Sequence, residues 1–111
     1  MTVIDKGTFE ELKQLSGEDF ISELIDAFLE DAPNIIRNMH TALAAKDVES
    51  FRRNAHSLKS NANTFGAAEL AALAKELESM ARENNLDIGN RLEVLGEAYD
   101  KAADVLEELR V

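Results

Sequence analysis

The stretch Val48-Glu49-Ser50-Phe51-Arg52-Arg53-Asn54-Ala55-His56-Ser57-Leu58-Lys59-Ser60-Asn61-Ala62-Asn63-Thr64-Phe65-Gly66 decides the fold. Its apolar residues Val48, Phe51, Ala55, Leu58, Ala62 and Phe65 alternate three and four apart, the period of a helix with one buried face. Asp47 stands where an N-cap belongs. Gly66 stands at C′, where a left-handed residue stops a helix cheaply only as glycine. The spacing predicts a helix over about 47–65. His56 lies roughly 130° round from the apolar direction, at about 100° per residue. Arg52, Lys59 and Asn63, at −4, +3 and +7, share its flank, and Arg53 and Ser60 lie further round.

The same period runs outward in both directions. Upstream, Phe20, Ile21, Leu24, Ile25, Phe28 and Leu29 form a wide apolar stripe, resumed after Pro33 by Ile35, Ile36, Met39 and Leu43. This reads as one long helix kinked at the proline, which lacks an N–H and crowds the preceding turn; two separate helices are the alternative. A Ser16/Asp19 pair is its expected N-cap. Earlier still, Thr8 with Glu11 forms a capping-box pattern opening a short helix on which Phe9 and Leu12 share a face. It ends near Leu15, before Ser16-Gly17, and Met1 to Val3 read as a frayed start.

Downstream, Leu70, Leu73, Leu77 and Met80, with Ala74 and Ala81, mark a fourth segment ending at Asn84-Asn85. Asp87 is the expected cap of a fifth, carried by Ile88, Leu92, Leu95, Tyr99, Ala102, Leu106 and Leu109. No segment has the period of two that a strand requires. Short connections between long amphipathic helices make them antiparallel neighbours. The expected fold is therefore all-α: an antiparallel four-helix bundle with a short additional N-terminal helix, as one domain over 1–111.

Composition narrows the function. The chain has 111 residues, 45% hydrophobic and 31% charged, with a formal net charge of −10. Such a surface repels phosphate backbones and anionic lipid, and suits a partner with a basic face. Aromatics are only 5%, too few for a base-stacking surface. No cysteine is present, so disulfides and thiolate metal sites are excluded. The N-terminus shows no signal peptide and the chain no membrane span. Met1 mildly favours a free-standing protein, and an excised module is the alternative.

A lone histidine on a surface helix is most often only a solvated side chain. What sets His56 apart is the basic and hydrogen-bonding stripe around it on an acidic protein. An imidazole of ordinary pKa, about 6.5, is largely neutral at pH 7 and is a nucleophile without a separate base. Lys59, one turn on, can attract a phosphoryl group, and small Ser60 lets a partner approach. No carboxylate falls at i±3 or i±4 of His56, so none nearby is expected to repel that group. No Ser-His-Asp arrangement, Gly-rich phosphate loop or metal-ligand histidine pair is visible. That speaks against a hydrolase and a kinase. His40, between Ile36 and Leu43, reads as a partly buried structural histidine; Met39 and Met80 read as core, and Glu107-Glu108 as a solvated face.

His56-Ser57-Leu58-Lys59, Phe65-Gly66-Ala67, Leu70, Leu73 and Leu77-Glu78, preceded by Leu24 to Pro33 and by Asp47, resemble the histidine phosphotransfer (HPt) domain over essentially the whole chain. The resemblance implies a phosphorelay intermediate. His56 would accept a phosphoryl group from a receiver-domain aspartate, or from a kinase, and pass it to another receiver. Lys59 would stabilise the phosphate. Ser60, Asn63, Arg52, Leu12, Phe20, Leu24 and Arg82 would meet partners: receiver domains of response regulators and of a sensor or hybrid histidine kinase. The chain would need no cofactor or metal of its own, since magnesium would sit on the receiver. It would act as a cytoplasmic monomer. Ser60 departs from the glycine often found there, which bears on partner preference. The alternative is a helical adaptor that docks receivers without phosphotransfer, in which His56 is dispensable.

Overall fold

A computed structural model of the chain describes residues 3–110; Met1 and Thr2, and with them most of the expected frayed start, lie outside the described residues. Val3 is already packed against the core. Five helices follow in order: α1 (Lys6–Ser16), α2 (Glu18–Ala45), α3 (Val48–Thr64), α4 (Ala68–Arg82) and α5 (Arg91–Leu109). Among the described residues there is no strand, and no helix is long and apolar enough to cross a membrane. The four long helices form the expected bundle. α2 packs on α3 and α5, and α4 packs on α3 and α5, so they surround the core in the order α2, α3, α4, α5.

The helix ends show where local chemistry was misread. Asp5, not Thr8, caps α1: its Oδ1 accepts from the Gly7 N–H at 3.1 Å, and the Thr8 hydroxyl donates to its Oδ2 at 3.0 Å. Thr8 is thereby drawn back to Asp5, and the helix starts three residues sooner than a Thr8 cap would place it. No Ser16/Asp19 cap forms on α2. Gly17 takes that place with φ +86°, and the Ser16 hydroxyl bonds back to the Leu12 carbonyl at 2.7 Å. Asp47 caps α3 as expected, accepting from the Ser50 N–H at 3.1 Å. Asp87 does not cap α5, which begins at Arg91 after a loop. The Asp87 N–H instead donates to Asn85 Oδ1 at 2.9 Å, and Ile88 is buried beneath the loop.

α2 passes through Pro33 as one helix of 28 residues. Proline removes the N–H that would reach the carbonyl of Leu29. The Tyr99 hydroxyl of α5 donates to that carbonyl instead, at 3.4 Å. The ring of Tyr99 meets Phe28, centroids 5.8 Å apart, and Phe28 meets Phe65 at 5.1 Å, linking α2, α3 and α5 through one aromatic cluster.

The core is the apolar stripe of each helix: Ile21, Ile25, Phe28 and Met39; Phe51, Ala55, Leu58 and Ala62; Leu70, Ala74, Leu77 and Ala81; Leu92, Leu95, Tyr99 and Leu106. Met80 is partly buried against it. Two expectations fail at its edges. Phe20 is 52% exposed and so lies off the buried stripe of α2. His40 is exposed rather than partly buried: Met39 and Ala42 take the inward positions, while Ile36 and Leu43 are themselves only half covered. The α3–α4 turn is tight. Gly66 has φ +77°, and its carbonyl accepts the Asp5 N–H at 2.8 Å. Buried Ile4 and Phe9 seat the start of α1 against that end of the bundle.

Candidate functional site

His56 stands on the outer face of α3 with 55% of its side chain exposed. The antiparallel packing of α3 on α4 places Glu78 beside it. His56 Nδ1 lies 2.8 Å from Glu78 Oε2, Lys59 Nζ donates to Oε1 at 2.7 Å, and Arg82 Nη2 donates to Oε2 at 2.9 Å. Glu78 is only 2% exposed and is the one buried charged side chain among the described residues.

Burial pushes the Glu78 carboxyl up, but hydrogen bonds and charge from Lys59 and His56 outweigh it and hold the carboxyl below its ordinary value. The group is therefore an anion at neutral pH, and a carboxylate only accepts. The hydrogen between it and the imidazole belongs to Nδ1. In the neutral ring this leaves the lone pair on Nε2, the nitrogen farther from the backbone. The site thus holds an imidazole by one nitrogen and presents the other to solvent.

The expectation that no nearby carboxylate would repel a group on His56 left one carboxylate out of account. It covered neighbours on α3 alone, whereas Glu78 comes from 22 residues on, across a helix–helix contact. A signal was present: Ala71, Ala74, Glu78 and Ala81 continue the buried three-four spacing of α4, with a carboxylate in an otherwise apolar row. A charge at such a position is rare unless paired. The carboxylate does not oppose a phosphoryl group, because Lys59 and Arg82 cover it and it faces Nδ1.

The other candidate residues fall in three places. Lys59 and Arg82 join the Glu78 cluster, so Arg82 is tied to the centre and not only to its rim. Ser60 and Asn63 are exposed further along α3, and Lys59 and Asn63 border a shallow depression of about 270 Å³ with Ala68, Ala71 and Lys75 of α4. Lys75 adds a cation that sequence reasoning did not single out. Arg52 lies one turn before His56 and is engaged by Glu49. Phe20 is exposed, while Leu12 and Leu24 are half-buried. Leu24 borders a second groove with Asn61 and Thr64 of α3, and Leu15, 87% exposed, stands near the end of α1. Among the described residues no three His, Asp or Glu side chains converge as metal ligands.

Comparison with known proteins matches residues 23–110 to the Hpt domain family. The chain is 26% identical over 108 residues to the phosphorelay protein LuxU of Vibrio cholerae, covering 93% of this chain and 96% of that one. It is 32% identical over 80 residues to the sensory/regulatory protein RpfC of Xanthomonas campestris pv. campestris. That match covers 71% of this chain, which spans only 11% of RpfC. Its fold is similar to the crystal structure of histidine-containing phosphotransfer protein B of Pseudomonas aeruginosa PAO1. The TM-score is 0.88 and the identity 26%, covering 97% of this chain and 94% of that one.

Proposed function

The chain belongs to the Hpt domain family, and from that premise we propose that it is a phosphorelay intermediate with His56 as its phosphoryl acceptor. The observation that carries this reading is the half-exposed imidazole held through Nδ1 by buried Glu78. The Nε2 lone pair attacks the phosphorus of a receiver's aspartyl phosphate. The N–P bond forms as the P–O bond to the aspartate breaks, and the carboxylate leaves. The ring gains positive charge in this step, with its Nδ1 proton kept against Glu78. Passing the group to a second receiver is the reverse step: a carboxylate oxygen attacks phosphorus, and His56 leaves as neutral imidazole. Lys59 lies one turn from His56 and can shift from Glu78 toward the phosphoryl oxygens. Glu78 is a positioning residue, since it acts through His56.

The partners are receiver domains of response regulators and of a sensor or hybrid histidine kinase, and any magnesium resides on the receiver. The chain serves as a carrier, without a nucleotide site. A monomer acting in the cytoplasm, where ATP sustains such donors, completes the reading. Ser60, Asn63, Arg52, Leu12, Phe20 and Leu24 form its outer contact surface, with Ser60 tuning partner choice.

The test is transfer from a phosphorylated receiver domain. The chain should acquire an acid-labile, base-stable label, and His56→Gln should acquire none while keeping its helical circular dichroism. A label retained in that variant would sink the assignment, and receiver binding without any label would leave only an adaptor. Lys59→Ala should slow transfer or shorten the lifetime of the phosphohistidine; unchanged values for both would remove Lys59 from the chemistry.

A further inference from the structure

On the side of the bundle away from His56, α2 and α5 leave an open groove of about 470 Å³ floored by Pro33, Ile36, Gly96 and Tyr99. We propose that this groove is a docking site for a lysine- and arginine-rich amphipathic helix of a partner protein. It is independent of phosphotransfer at His56.

Gly96 is the first observation. It lies inside α5 with no left-handed φ, and a Cβ built there would meet nothing within 4 Å. Glycine inside a helix is destabilising by roughly 0.5–1 kcal/mol relative to alanine. No turn and no internal close approach uses the missing methyl. Its one structural consequence is a lower groove floor, open to a side chain from another molecule.

Charge complementarity selects the occupant. Glu93, Glu97 and Asp100 wall the groove on the α5 side. Asp104 and Glu107 continue the row at three-four spacing, all exposed. None of these five makes a salt bridge among the described residues. Like charges at such spacing repel along a helix, and the single cation beside them, Lys101, four after Glu97 and three before Asp104, leaves the row strongly negative. Burial first, and then the charges of Asp100 and Glu107, push the Tyr99 hydroxyl up. An apolar floor beside an anionic wall fits a helix with apolar anchors and flanking cations. The row runs over 15 residues, Glu93 to Glu107, about 21 Å of helix at 1.5 Å per step, so a partner helix of four turns matches it. A second copy is a poor occupant, because it carries the same net charge of −10.

Position adds a consequence. His56 and Glu78 bridge α3 and α4, the pair opposite α2 and α5 in the ring of helices. A helix seated in the groove leaves Nε2 of His56 open, and so anchors the carrier without blocking it.

The experiment titrates an 18-residue amidated leucine–lysine peptide with one apolar helical face into the full isotope-labelled chain, at about 0.15 M salt. Expected are amide shifts centred on Ile36, Gly96 and Tyr99, and unchanged labelling of His56 with the peptide bound. Affinity should fall at least about tenfold in Gly96→Trp, which fills the floor, and in Glu97→Lys, which reverses the wall. Glu97 is exposed, so that variant keeps the test valid should Gly96→Trp misfold. Shifts scattered over the acidic surface, equal binding of a scrambled peptide of the same composition, or unchanged affinity in Glu97→Lys would overturn the proposal. So would a concentration-dependent dimer that shifts the same groove residues without peptide.

Discussion

Glu78 does at residue scale what no neighbour of His56 on its own helix can do. It fixes which nitrogen carries the proton, and it takes two further cations at the same time. The two substitutions that separate its charge from its acceptor oxygen are informative. Glutamine keeps a carbonyl for the Nδ1–H, whereas alanine keeps nothing. Glu78→Ala should slow phosphoryl acceptance by on the order of tenfold, the scale found when a ligating histidine loses its orienting partner, and Glu78→Gln should restore much of that rate. Equal losses in both would reduce the residue to packing. The carboxyl is held below its ordinary value in the folded protein, so its contribution to stability is present above the ordinary glutamate pKa of about 4.3 and is lost as pH falls through the lower folded value. Glu78→Gln should flatten that part of the acid limb in urea unfolding followed from pH 6 downward; an unchanged limb would contradict the depressed value. His56 and Lys59 were legible because helical spacing and a neighbouring cation are local facts. Glu78 was not, because its role exists only once α4 lies along α3.

At the scale of the element, two glycines with opposite reasons make a matched pair. Gly66 has a left-handed φ, and a Cβ on it would stand 3.0 Å from the Asp5 carbonyl oxygen and 3.0 Å from Thr8 Cβ. Backbone occupies that space and cannot move aside cheaply. Gly66→Ala should cost about 2–3 kcal/mol, more than the 1–2 of a left-handed alanine alone. Gly96→Ala should instead stabilise by about 0.5–1 kcal/mol. Urea unfolding with an unchanged m-value reads both; a destabilised Gly96→Ala would mean that the groove floor carries internal packing after all. Helix existence was legible throughout, since every long stripe is periodic. Helix ends were legible only where the capping side chain had no competitor, as at Asp47. At Thr8 the upstream Asp5 caps the helix in its place, and after Asp87, whose N–H donates to Asn85, the chain stays in a loop until Arg91. The passage of α2 through Pro33 was legible in the apolar residues that resume in phase beyond it, whereas the hydroxyl that reaches the freed Leu29 carbonyl comes from Tyr99, 66 residues past the proline, and no local pattern reports it.

For the whole molecule, charge is the dominant long-range fact. The chain carries 22 acidic and 12 basic residues. Several basic ones gather where chemistry is proposed: Lys59, Lys75 and Arg82 near His56, with Arg52 one turn before it. The opposite groove is walled by carboxylates. Two faces of unlike character can therefore serve different partners at once. The excess of carboxylates also repels itself across the folded surface. Added salt has two opposed effects. It weakens exposed pairs such as Arg91–Glu76 and Arg110–Asp26, each worth about 0–1 kcal/mol, and it screens the unbalanced negative charge. Between 0.01 M and 0.15 M sodium chloride the screening length falls from about 30 Å to about 8 Å, short against the 41 Å length of the bundle. Long-range repulsion is thus largely removed, while the buried Glu78 cluster, at contact distance, is screened far less. The midpoint of thermal unfolding should rise by a few degrees over that range, the shift that roughly 1 kcal/mol gives a domain of this size. A midpoint that falls instead would show that the surface ion pairs, and not the net charge, govern the salt response.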